Sequence, residues 1–171
     1  MWRRLRSITA IEYHLAQLNV GVAKGPMDSE LMADFGAALD PINALADTAP
    51  GFVWRLQTED GDATAIRPYA DARMMVNMSV WESLEALRRF VYTSDHTAVM
   101  RHRKQWFEKI DTYLVLWWVP AGHEPTVEEA KARLEHLNDH GPTPYAFTFR
   151  ASFSRPDAAD AIVDDEIGCP A

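Results

Sequence analysis

The chain has 171 residues and a formal charge of −8, a length that fits one domain able to bury its own core without disulfides or structural metal. Its acidic balance repels a phosphate backbone and no basic stripe with interleaved aromatics offsets that locally, so nucleic acid is set aside as a partner. No apolar run long enough for a signal peptide or membrane span follows Arg3, Arg4 and Arg6, and the lone Cys169 supports neither an internal disulfide nor a cysteine metal site, so a cytoplasmic protein without a membrane partner is expected.

Residues 1–11 read as an N-terminal extension, 12–153 as the domain and 154–171 as a flexible tail. Tyr13 to Val20 alternate with period two, as a strand does. Asp28 then caps a helix whose Leu31, Met32, Phe35, Ala38, Leu39, Ile42 and Leu45 form one stripe, and Pro41 inside it is expected to kink or divide that helix. Phe52 to Gln57 read as a second strand, followed by a polar loop to about Asp71 of the kind that borders sites. Met74 to Trp81 form a third strand, and helices follow from Glu82-Ser83 and from Ser94-Asp95 to Ile110. Tyr113 to Val119 are almost continuously apolar, which suggests a central strand buried on both faces. Thr126 and Glu129 form a capping box for a helix ending near His140-Gly141, and Tyr145 to Phe149 suggest a last strand. The order β-α-β-β-α-β with appended elements is that of an α+β, ferredoxin-like split βαβ sheet with helices on one face. Its other face would be apolar, through Met74, Val76, Met78 and Val80, and a homodimer would bury it.

On the helix after Ser94, His96, Val99, Met100, Arg103, Trp106, Phe107 and Ile110 share one stripe, whereas His102 lies on the opposite, solvent side. A buried imidazole and guanidinium need partners, so His96 and Arg103 are candidate site residues beside their structural alternative. Asn19 shares one face of the first strand with Tyr13, Leu15 and Gln17, and Asn77 shares a face with Ser79 and Trp81. Such neutral amides can orient a carbonyl or phenolate oxygen. Asn19, His96 and Arg103 are therefore expected to line one pocket, with Trp54, Asn77, Trp81, Phe90 and Trp106 around the substrate. Arg55 and Arg67 are weaker candidates for an anionic group, and the spacing of His136 and His140 is compatible with a metal but completes no motif. There is no glycine-rich phosphate loop, serine-hydrolase elbow or Cys/His pair.

The blocks His14 to Val20, Pro50 to Gln57, Asn77 to Ser83, Leu116 to His123 and Gly141 to Arg150 together resemble an uncharacterised bacterial domain-of-unknown-function family. That family in turn resembles the dimeric α/β-barrel superfamily, which includes antibiotic-biosynthesis and haem-degrading monooxygenases. The resemblance implies a monooxygenase-like oxidoreductase acting on an aromatic or polyketide-like small molecule. It offers two cofactor options, haem ligated through His96 or no cofactor at all. In the haem-degrading relatives an Asn on strand one and a ligating His on the helix after strand three resemble Asn19 and His96, but Phe90 stands nearest to the position where they use a Trp. A cofactor-free cyclase or isomerase, and a non-catalytic dimer that binds haem or a small molecule, are the competing functions.

Overall fold

A computed structural model describes residues 11–93 and 96–156, with only the backbone described at 93 and 96–99. The elements are β1 (Tyr13–Val22), a 3₁₀ turn (Glu30–Met32) leading into α1 (Ala33–Asp47), β2 (Phe52–Arg55), β3 (Met74–Trp81), α2 (Leu84–Thr93), α3 (His96–Trp106), β4 (Leu114–Pro120) and α4 (Val127–His140). The strands form one four-stranded antiparallel sheet in the order β2-β3-β1-β4, the split βαβ arrangement expected from the element order.

β1 is the centre of the sheet, and its alternate residues divide the core in two. Leu15, facing Trp81 and Trp118 across the ladder, joins Leu84, Leu87, Leu116 and Phe147 beneath α2. Ala16, Leu18 and Val20 point the other way and pack with Val76, Met78, Val80, Val115 and Trp117. A smaller cluster of Met32, Met75 and Trp106 seats α3 and the start of α1 on the first of these faces.

The second face is not open. α4 lies on it through Ala130, Leu134 and Leu137, and Leu56, Ile66 and Tyr69 from the long loop close the remainder. Met78 and Val80 are 0% and 1% exposed within a single chain, so the uncovered apolar sheet that motivated a homodimer does not exist. The apolar residues of α4, Ala130, Leu134 and Leu137, need burial, but their spacing does not say against which surface.

Three other expectations change. Pro41 does not divide α1, because it is exposed and the Ala37 carbonyl it leaves without a helical donor also lies on the solvent side, where water serves it. The apolar run at 113–119 belongs to an edge strand: α4 covers one face of β4, Leu116 on the other clusters with Leu84, Leu87 and Phe147, and the outer edge is met by Phe147, which exchanges two backbone hydrogen bonds with Leu116 (2.8 and 2.9 Å). Tyr145 to Phe149 accordingly form isolated bridges in place of a strand, in a segment where Pro142 and Pro144 lack amide donors. Cys169 and most of the tail lie outside the described residues, as does the Ser94-Asp95 cap.

Candidate functional site

The helix-side face of the sheet carries an unusual polar floor where β1 meets β3. The register sets Asn19 directly opposite Asn77, and Gln17 directly opposite Ser79. Facing pairs of this kind hold their Cβ atoms roughly 4.5–5.5 Å apart. Gln17 Nε2 donates to Asn77 Oδ1 (2.9 Å) and to Ser79 Oγ (3.0 Å), and the Trp81 indole donates to the same Ser79 oxygen (2.9 Å). Gln17 and Ser79 are buried, whereas Asn77 is exposed in the middle of its strand. β2 ends at Arg55, opposite Ser79, so no neighbouring strand flanks Asn77 on that side. α1 does not seal the space either: it buries only Ala46 and leaves Phe35, Leu39, Ile42 and Leu45 partly exposed. The exposed Asn77 and the partly exposed apolar side of α1 together mark a candidate cleft with an amide floor.

Arg103 closes one end. Its Nη1 donates to Asn19 Oδ1 (3.1 Å), its Nη2 donates to the Val20 carbonyl (2.7 Å), and its guanidinium stacks on the Tyr113 ring at 4.5 Å. No carboxylate among the described residues pairs with it. Burial pushes its pKa down from the ordinary guanidinium value, and Tyr113 partly opposes that. Arginine nevertheless stays cationic at any working pH, so a partly desolvated positive charge, with no counter-ion among the described residues, sits beside the amide floor.

Arg103 accounts for the acceptor oxygen of Asn19, as Gln17 does for that of Asn77. Both carboxamides thus have their –NH₂ groups to spare. This arrangement suits an acceptor oxygen carrying negative charge, such as a phenolate or enolate.

The structure separates the other expected residues. Trp81 lies on the same face, 1% exposed, stacked on Phe90 (5.1 Å) and edge-on to Phe52 (5.4 Å); it supports the floor from beneath rather than meeting a ligand. Trp54 is on the opposite face, because a register shift between Phe52 and Trp54 turns it toward the α4 cluster. Trp106 is buried in the satellite cluster against Phe35, at 5.5 Å between rings, and props α3. His96 begins α3, but its side chain lies outside the described residues.

Among the described residues no histidine reaches the amide floor. His102 is exposed and bonded to Gln105, and His14 alternates to the other sheet face. The described residues therefore offer no histidine ligand for a haem at this floor, and a floor of amides is unlike an apolar macrocycle seat.

Arg55 and Arg67 are committed elsewhere. Arg55 forms a two-bond pair with Asp47 (2.7 and 3.1 Å) and donates to the Gly61 carbonyl (2.6 Å), tying the end of α1 to β2. Arg67 bonds the Thr64 and Ile66 carbonyls of its own loop. His136 is held by Thr143 (3.0 Å) and stacked on His140, and the described residues contain no metal-type cluster. Reasoning from the sequence missed Gln17, Ser79 and Tyr113 as parts of this site. Gln17 had a signal, a polar residue on the same strand face as Asn19, but its partners depend on pairing between distant strands.

The family model described as "Domain of unknown function (DUF3291)" matches residues 14–163. No curated protein matches the chain. Among solved structures the chain is similar to SnoaB, a cofactor-independent oxygenase from Streptomyces nogalater, at 16% identity over 65% of this chain and 95% of that one, with a TM-score of 0.44. It is also similar to Rv0793 from Mycobacterium tuberculosis (12%, 66% and 99%, TM-score 0.45). A third similarity is to a monooxygenase from the gene ActVA-Orf6 of Streptomyces coelicolor in complex with nanaomycin D (14%, 68% and 92%, TM-score 0.39).

Proposed function

Since the chain belongs to the DUF3291 family, a domain of unknown function, we propose its role from the site itself: a monooxygenase-like oxidoreductase that binds an aromatic or polyketide-like small molecule by its ionised phenolic or enolic oxygen. The observation that carries this reading is the pair of directly opposed asparagines, Asn19 and Asn77, with the Arg103 cation, which pairs with no carboxylate among the described residues, beside them. Amide N–H groups and a guanidinium favour the oxyanion over the neutral phenol, because only the oxyanion accepts charge-assisted hydrogen bonds. An electron-rich phenolate is also the form of such a substrate that reduces dioxygen, so holding that form is a contribution the described residues can make without a redox group. Their roles are to bind, orient and keep the oxygen deprotonated, while the apolar side of α1 takes the rings.

The test is a spectral titration with 4-nitrophenol, whose phenolate is coloured and whose phenol is not. Binding is expected to move its ionisation down by roughly one pH unit, the effect of about 1.4 kcal/mol of preference for the charged form. Arg103→Gln and Asn77→Leu should each reduce that shift. An ionisation unmoved by saturating wild-type protein would refute the proposal, and oxygen uptake across a panel of hydroxylated aromatics would then test the redox half independently.

A further inference from the structure

Resting on the reading above, we infer that Gln17 is a positioning residue: it sets the polarity of the cleft floor so that Asn77 presents N–H donors, and it thereby makes the site selective for an anionic oxygen, the strongest acceptor.

A carboxamide is ambidextrous. Left to itself, Asn77 at an exposed strand position could turn either its oxygen or its nitrogen to the cleft at little cost. The surrounding bonds restrict that freedom by tying the orientation of Asn77 to that of Gln17. At one end of the floor the Trp81 indole, which can only donate, places its hydrogen on Ser79 Oγ at 2.9 Å. At the other end Arg103, which also only donates, holds Asn19 Oδ1 at 3.1 Å and so turns the Asn19 –NH₂ away from itself.

Between these ends Gln17 Nε2 divides its two hydrogens between Ser79 Oγ (3.0 Å) and Asn77 Oδ1 (2.9 Å). Ser79 Oγ then accepts two bonds, which occupies both of its lone pairs. Gln17 and Ser79 are each 7% exposed, so water does not readily replace a lost partner. Asn77 Oδ1 is thus drawn inward, and its –NH₂ is directed to the same space as that of Asn19. Reversing Asn77 would set its N–H against a Gln17 N–H, so the two amides can only turn together, and the Ser79 hydroxyl would have to turn with them to donate to Gln17.

A glutamate at position 17 enforces the reverse state. Its carboxylate has nearly the shape of the amide but can only accept. Asn77 must then donate to it and present Oδ1 to the cleft, and the negative charge itself opposes an oxyanion. Gln17→Met, of similar length, removes the hydrogen bonds without adding charge and leaves Asn77 free to turn.

The experiment measures the affinity of wild type, Gln17→Glu and Gln17→Met for two probes, 4-nitrophenolate and the neutral 4-nitroanisole, with thermal unfolding run in parallel. Positioning predicts that Gln17→Glu weakens nitrophenolate by about ten-fold or more while nitroanisole changes by less than about two-fold, with Gln17→Met intermediate. Equal losses for both probes would mean that Gln17 only supports the fold, and an unchanged nitrophenolate affinity in a folded variant would mean that Asn77 is oriented without it; either result overturns the inference. If Gln17→Glu does not fold, Gln17→Met decides on the same comparison. A wild-type protein showing no preference for nitrophenolate sinks the oxyanion reading itself, which separates that failure from the failure of Gln17 alone.

Discussion

Phe107 lies over Gly21 so closely that a Cβ on the glycine would meet Cδ1 of the ring at 2.7 Å. Gly21 is on the same face of β1 as Asn19, and it is what allows the end of α3 to settle on that strand. Backbone bonds from Lys24 to the Trp106 carbonyl and from Glu108 to the Val22 carbonyl, both 2.8 Å, fasten the approach. Arg103 is one helical turn before Phe107, so its reach to Asn19 depends on that distance. Gly21→Ala is expected to displace the Phe107 ring, to cost about 1–3 kcal/mol by overpacking, and to weaken 4-nitrophenolate binding by lengthening the Arg103–Asn19 bond. Denaturant unfolding and probe titration measure the two effects. A variant unchanged in both would show that α3 is not positioned by this contact.

The strands and helices were legible wherever one local pattern sufficed. Period-two alternation marked β1 and β3, and the Thr126/Glu129 pair marked the start of α4, where Thr126 does accept from the Glu129 amide at 3.1 Å. Legibility ended where a statement needed two distant segments at once. Asn19 and Asn77 were each recognisable as amides on a strand, but their facing position is a property of the β1–β3 register. Trp54 was expected around the substrate; a bulge between it and Phe52, invisible in the sequence, turns it to the other face. The side of the sheet taken by α4 was likewise undetermined, since an apolar stripe fits any apolar face.

That placement of α4 changes the expected association. Leu134 and Leu137 contribute roughly 1.5–3 kcal/mol each by covering the second sheet face, and no second copy is needed there. Self-association of the intact chain is therefore not expected to use Val76, Met78 and Val80. Leu134→Asp should lift α4, expose these residues and produce a concentration-dependent rise in mass by light scattering together with binding of an apolar dye. Wild type and variant with the same mass and dye response would contradict the account of what α4 covers.

One acid-sensitive contact follows from the sign of a pKa shift. Arg73 holds the Asp71 carboxyl below its usual range, chiefly through side-chain and backbone hydrogen bonds, and also donates to Glu108 at 2.7 Å beyond the end of α3. A carboxylate whose folded value is depressed favours the folded state above its unfolded pKa, and that contribution is lost as pH falls through the folded value. Because Asp71 is exposed, the effect is small and screened by salt. Asp71→Asn should thus flatten, slightly, the decline in stability below about pH 4, and a decline identical to wild type at low ionic strength would rule the contact out as a contributor.

Glu129 gives the sharpest comparison of buried and exposed partners around one carboxylate. Its Oε1 accepts from the Trp117 indole at 2.8 Å and its Oε2 from His123 Nε2 at 2.7 Å, so the residue expected to complete a capping box instead pins α4 to β4. Arg133 is a looser neighbour at 3.8 Å and donates to the Tyr145 carbonyl at 2.7 Å. Trp117 is fully buried, so removing its acceptor leaves a desolvated N–H, whereas His123 is 44% exposed and regains water on losing its partner. Glu129→Ala is therefore expected to cost about 1–3 kcal/mol, and His123→Ala less than about 1 kcal/mol. Glu129→Gln, whose amide oxygen still serves Trp117, should fall between them. Chemical denaturation of the three variants gives the order directly. If His123→Ala proved as costly as Glu129→Ala, the stability would reside in the surface pair and not in the satisfaction of the buried indole.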